Sequence, residues 1–143
     1  MKKVSIMFIV LLPAMVTFAY GPNEKVLKAF TETFAHAENV KWEEYPGYYT
    51  VSFKTGAIQS KVIYDEEGMM LGAIRYYFPE LLPLHILTAV KKEFKGKTLY
   101  CVTEVTRNNM LNYFIKLEDD NFWYGIRVTA SGNSTIIEKY RKG

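Results

Sequence analysis

Two stretches sixty residues apart carry the same apolar pattern, and that repetition constrains the fold more than any other feature of the chain. Residues 26–34 read VLKAFTETF and residues 86–94 read ILTAVKKEF. Val26 pairs with Ile86, Leu27 with Leu87, Ala29 with Ala89, Phe30 with Val90 and Phe34 with Phe94. Each stretch sets apolar residues at i, i+1, i+4 and i+8, which is one face of an α-helix. Pro22-Asn23 and Leu82-Pro83 precede them as start signals.

Strand signals follow each helix. After the first come Asn39–Tyr45, a Pro46-Gly47 turn, Tyr48–Lys54, Ile58–Tyr64, an Asp65-Glu66-Glu67-Gly68 turn and Met69–Tyr77. After the second come Thr98–Thr106, an Arg107-Asn108-Asn109 turn, Leu111–Leu117, Phe122–Thr129 and Ser134–Tyr140. At an offset of 64 the later strands also coincide, as Tyr49/Tyr113, Val51/Ile115, Phe53/Leu117, Val62/Ile126 and Gly68/Gly132. Four extra residues around the second copy's first hairpin account for the change of offset. The pattern predicts an α+β fold of two tandem helix–β–β–β–β repeats, residues 24–81 and 82–143, forming one domain over 20–143. Each helix and each meander has one apolar face, so the helices should cover one side of an antiparallel sheet of about eight strands.

The first nineteen residues read as a signal peptide. Lys2 and Lys3 precede an apolar run from Val4 to Phe18, and Thr17-Phe18-Ala19 has small residues at the −3 and −1 positions of a cleavage site. The run is short of the roughly 20 residues that span a bilayer. Cleavage after Ala19 predicts a periplasmic or secreted protein with no membrane attachment. The full chain has 18 basic and 15 acidic residues. Two of the basic ones lie in the leader, so nothing suggests bulk attraction to nucleic acid.

With one Cys and two His in the chain, disulfide frameworks and cysteine-rich zinc sites are excluded. Cys101, inside a strand, reads as a buried small apolar residue. His36 and His85 belong to no nucleophile motif, and Asp65, Asp119 and Asp120 all sit at turns. No catalytic residue, cofactor or metal is therefore expected.

The chain resembles the PepSY-like secreted bacterial proteins. The matching features are the leader, the VLKAF helix, Asn39-Val40-Lys41-Trp42-Glu43, Tyr49-Thr50-Val51-Ser52-Phe53 and Val62-Ile63-Tyr64-Asp65-Glu66-Glu67-Gly68. The second copy departs from the pattern: Val128-Thr129-Ala130-Ser131-Gly132 lacks the acidic turn, and no tryptophan matches Trp42. What the resemblance implies is a β-lactamase-inhibitor-protein-like fold in a periplasmic or secreted protein. By analogy of fold it implies binding or inhibition of another exported protein, such as a peptidase or other envelope enzyme.

Alternation points to where binding would occur. If Tyr49, Val51, Phe53, Tyr113, Ile115 and Leu117 face the helices, their neighbours face away. That face then carries Lys54, Lys61, Lys116 and Arg127, with Tyr48, Phe114 and Trp123 among them and acids only at strand ends. Tyr48, Lys61, Phe114, Trp123 and Arg127 are the candidate partner-binding residues, suited to an acidic, partly apolar protein or peptide. Two other readings stand beside this one. Aromatics that pack cross-strand would merely shield the sheet. A groove between the repeats would instead stack a small ligand or an envelope polymer. The oligomeric state is not legible in the residues.

Overall fold

The computed structural model describes residues 21–143; the signal peptide expected over residues 1–19 lies outside them. The chain runs α1 (Glu24–Thr33), β1 (Glu38–Tyr45), β2 (Tyr48–Thr55), β3 (Ile58–Asp65) and β4 (Met70–Tyr77). A 3-10 turn (Pro79–Leu81) leads into α2 (Leu84–Glu93), β5 (Thr98–Arg107), β6 (Met110–Glu118), β7 (Phe122–Thr129) and β8 (Ser134–Arg141). The strands form one eight-stranded sheet in the order β1 to β8. Every neighbouring pair is antiparallel. β5 and β6, at ten and nine residues, are longer than β1 and β2 at eight each.

Burial follows the alternation. Val26 and Phe30 of α1 cluster with Tyr49, Val51, Phe53, Val62 and Tyr64. Ile86 and Val90 of α2, with Phe94, cluster with Val102, Tyr113, Ile115, Leu117, Tyr124, Ile126 and Val128. These strand residues define the core face, and the opposite side is the open face. The segments alternate because each strand buries only one side, so a two-residue period carries the whole hydrophobic gain.

The aligned residues Ala29/Gly68 and Ala89/Gly132 have a physical role. A side chain on Gly68 would approach the Ala29 Cβ to 3.4 Å, and one on Gly132 would approach the Ala89 Cβ to 3.7 Å. Each helix therefore lies close on the turn of its third hairpin, more tightly in the first half than in the second. Polar ties join the same elements. Asn23 caps α1 by accepting from the Val26 N–H at 3.0 Å, and its amide donates to the Glu66 carbonyl at 2.8 Å. In the second half, the exposed His85 Nε2 donates to the Ala130 carbonyl at 3.1 Å.

The two turns differ in how much room they leave. Gly68 has φ +84°, and an added Cβ would lie 2.9 Å from the Lys25 carbonyl oxygen, which is backbone and cannot swing away. Gly132, at φ +94°, meets only ordinary contact. Gly68→Ala should cost about 2–3 kcal/mol, from left-handed strain plus the clash. Gly132→Ala should cost about 1–2 kcal/mol from strain alone. Urea unfolding of the two variants checks the order; equal losses would contradict the close approach of α1.

Candidate functional site

The five candidate residues all lie on the open face but do not converge on one point. Phe114 and Arg127 are direct cross-strand partners on β6 and β7. Trp123 sits four residues from Arg127 along β7, roughly 13 Å away at strand rise. Tyr48, on β2, is five strand spacings from β7, roughly 24 Å. Lys61, on β3, lies between these extremes.

Two of the three aromatics are packed against another exposed ring. Tyr48 stacks on Tyr45 with centroids 4.8 Å apart. Trp123, 40% exposed, takes Tyr100 edge-on at 5.6 Å and lies under the Lys142 ammonium at 4.4 Å. Such contacts shield the sheet and also hold the rings in place for a partner.

The charge pattern differs from the one expected, because acids are not confined to strand ends. Glu43 on edge strand β1 reaches over β2 to Lys61, with Oε2 3.4 Å from Nζ, and accepts from the Thr50 hydroxyl at 3.1 Å. Those two hydrogen bonds hold its carboxyl below the usual range, the Thr50 hydroxyl contributing most. Glu138 on the other edge strand, β8, pairs across β7 with Lys116. Gly125 makes this second bridge possible: a Cβ there would fall 2.9 Å from Glu138 Oε2 and 3.2 Å from Lys116 Nζ. The hydrogen bond from Lys116 to Glu138 raises the lysine's pKa. All four side chains are more than a third exposed, so solvent screening leaves each pair little weight in stability. Their larger consequence is to cancel charge on both flanks of the face.

Between those flanks lies an apolar strip on β4 and β5. The open-face positions there are Gly72, Ile74 and Tyr76, opposite Arg107, Val105 and Thr103. Ile63 and Phe114 border it from β3 and β6. Among the described residues no ion pair involves Arg107 or Arg127. Cys101 is half-buried, not buried, and lines a depression of about 250 Å³ with Tyr76, Phe78 and Thr103. The register shift between Leu99 and Cys101 breaks the alternation there.

On the core face the same seam carries a polar group: Arg75, Glu104 and Tyr77. Arg75 Nη1 is 3.1 Å from Glu104 Oε1, and the Tyr77 hydroxyl donates to Glu104 Oε2 at 2.5 Å. Burial and the adjacent carboxylate push the Tyr77 phenol far above its usual range, so it stays a donor. Across the described residues no group of three or more His, Cys, Asp or Glu side chains is placed to hold a metal. No described helix is long and apolar enough to cross a membrane.

The eight-stranded antiparallel meander with two helices matches solved structures, among them a BLIP-like one. A BLIP-like protein from Bacteroides fragilis matches with a TM-score of 0.60 at 16% identity, over 89% of this chain and 92% of that one. A DUF2874 family protein from Bacteroides ovatus matches with a TM-score of 0.58 at 19% identity, over 85% of this chain and 88% of that one. A candidate periplasmic protein from Bacteroides eggerthii gives 0.57 at 16%, over 85% and 89%. No protein-family model matches the chain, and no curated protein matches it significantly in sequence. The chain has a BLIP-like fold; identities this low speak for the fold alone.

Proposed function

We propose that this chain is an exported, non-catalytic binding protein that engages another exported protein or peptide through the open face of its sheet. The observation that carries the reading is how that face is divided. An apolar strip runs down β4 and β5, and Lys–Glu bridges flank it on both sides. Protein interfaces are built with an apolar centre and a polar rim in this way. Export rests on the Lys2-to-Ala19 leader, and the candidate periplasmic neighbour is in keeping with it. The PepSY-like resemblance belongs to the same reading. So does the tandem duplication, supported by the equivalent Ala29–Gly68 and Ala89–Gly132 approaches. Occlusion of an envelope enzyme such as a peptidase is the effect that analogy of fold favours.

The test begins with tagged protein purified from its own periplasm, whose intact mass should place Tyr20 first. A captured partner, identified by mass spectrometry and purified, is then titrated against two variants. Lys61→Glu/Trp123→Ala/Arg127→Glu should weaken binding at least about tenfold, most visibly at low salt. Lys28→Glu/Lys91→Glu, on the exposed sides of the helices, should bind as the parent does. The reverse pattern would move the interface to the helices.

A further inference from the structure

Resting on the open-face reading, we infer that the partner is gripped at one place on that face: a depression on the β4–β5 strip that takes a large apolar side chain flanked by carboxylates. The depression holds about 610 Å³ and is walled by Tyr48, Ile63, Leu71, Ile74 and Val105. Gly72 forms its notch, lying between Ile63 on β3 and Arg107 on β5. Leu71 is 48% exposed on the wall, so an apolar surface is open to solvent here. The stacked Tyr45–Tyr48 pair fixes one side of the wall without further ordering cost.

Charge selects the occupant. Both acids that reach the middle of the open face from the edge strands, Glu43 and Glu138, are already paired with lysines. The nearest turn carboxylate, Asp65, accepts the Glu67 and Met69 backbone N–H groups at 2.9 Å. The exposed Arg107 stands at the rim with no ion-pair partner among the described residues, and Arg127 stands further along beside Phe114. An incoming carboxylate therefore finds an uncompensated guanidinium next to an apolar notch, while an incoming cation finds both edge-strand acids already paired with lysines. The depression is also open and one-sided. A protein loop can cover it and exclude water, whereas small-molecule sites enclose most of their ligand.

The experiment uses ¹⁵N-labelled protein and four probes: the peptide Gly-Glu-Asp-Phe-Glu-Asp-Gly, its Phe→Ala form, its form with all acids replaced by lysine, and oleate. The acidic Phe peptide should shift the amides of Gly72, Ile74, Val105 and Arg107 saturably. The alanine and lysine peptides should bind at least about tenfold more weakly, as should the acidic peptide to Arg107→Glu. Lys91→Glu on α2 should leave binding unchanged. Equal binding of the lysine peptide would overturn the charge selection. Oleate binding more tightly at the same amides would make this a small-ligand site and overturn the loop partner. Shifts centred on Tyr100 and Trp123 would overturn this site while leaving the open-face reading intact. Silence with every probe overturns the inference, and the partner titration then decides the open-face reading independently.

Discussion

Phe30→Ala should lower the free energy of unfolding by about 3–5 kcal/mol, while Trp123→Ala should lower it by about 1 kcal/mol or less. Both changes delete a large ring, so the contrast comes from surroundings and not from side-chain size. Phe30 is 4% exposed and meets three other aromatics, with centroids 5.1 Å away at Phe53, 5.2 Å at Trp42 and 5.6 Å at Phe34. Its removal leaves a cavity between α1 and β1–β2 that rings fixed on several sides cannot fill by relaxing. Trp123 leaves no cavity; it gives up one edge contact and one ammonium on a solvated surface. Urea denaturation with a shared slope separates the two. A loss near 3 kcal/mol at Trp123 would mean that it is buried and that the β7 register is off by one.

Some of this arrangement was written in the residue pattern, for a physical reason. An antiparallel strand that buries one side must alternate, so Tyr49-Val51-Phe53 and Tyr113-Ile115-Leu117 reveal which way each strand faces. The strand limits followed within one residue, because Pro46-Gly47, Asp65 to Gly68 and Asn108-Asn109 are turn formers with a mechanism. Contacts that skip a strand were not legible. Glu43 finds Lys61 across β2, and Glu138 finds Lys116 across β7, so neither pair is local in sequence or in strand order. Gly125 was the available sign of the second bridge, since a glycine inside a strand leaves space for something to lie over it. The strip around Gly72 was hidden differently. Met69-Met70-Leu71 is apolar on both sides, and the register shift at Ile63/Tyr64 decides which of them faces the notch. Nor did the pattern foresee Arg75 and Glu104 on the core face, a polar pair at the seam between the two clusters.

That seam carries the second large effect: residues 20–81, expressed alone, should fail to fold cooperatively. About 60 residues with one helix are marginal for an independent core. This fragment would also lose cover that the rest of the chain provides. Tyr77, 6% exposed on β4, belongs to the cluster formed mainly by residues 82–128, and Ile58 packs against the same cluster. Cutting after Leu81 strips both, and it leaves Arg75 and the Tyr77 hydroxyl without Glu104. Six residue pairings between β4 and β5 are broken as well, from Gly72↔Arg107 to Tyr77↔Val102. β4 then becomes an unpaired edge with Met70, Leu71, Ile74 and Tyr76 along it, which invites self-association. Poorly dispersed amide shifts, a non-cooperative melt and concentration-dependent sedimentation are the expected results, and adding residues 82–143 in trans should restore dispersion. A monomeric fragment with a cooperative transition would show that the first cluster suffices by itself, so that the β4–β5 seam joins two separable units instead of completing one core.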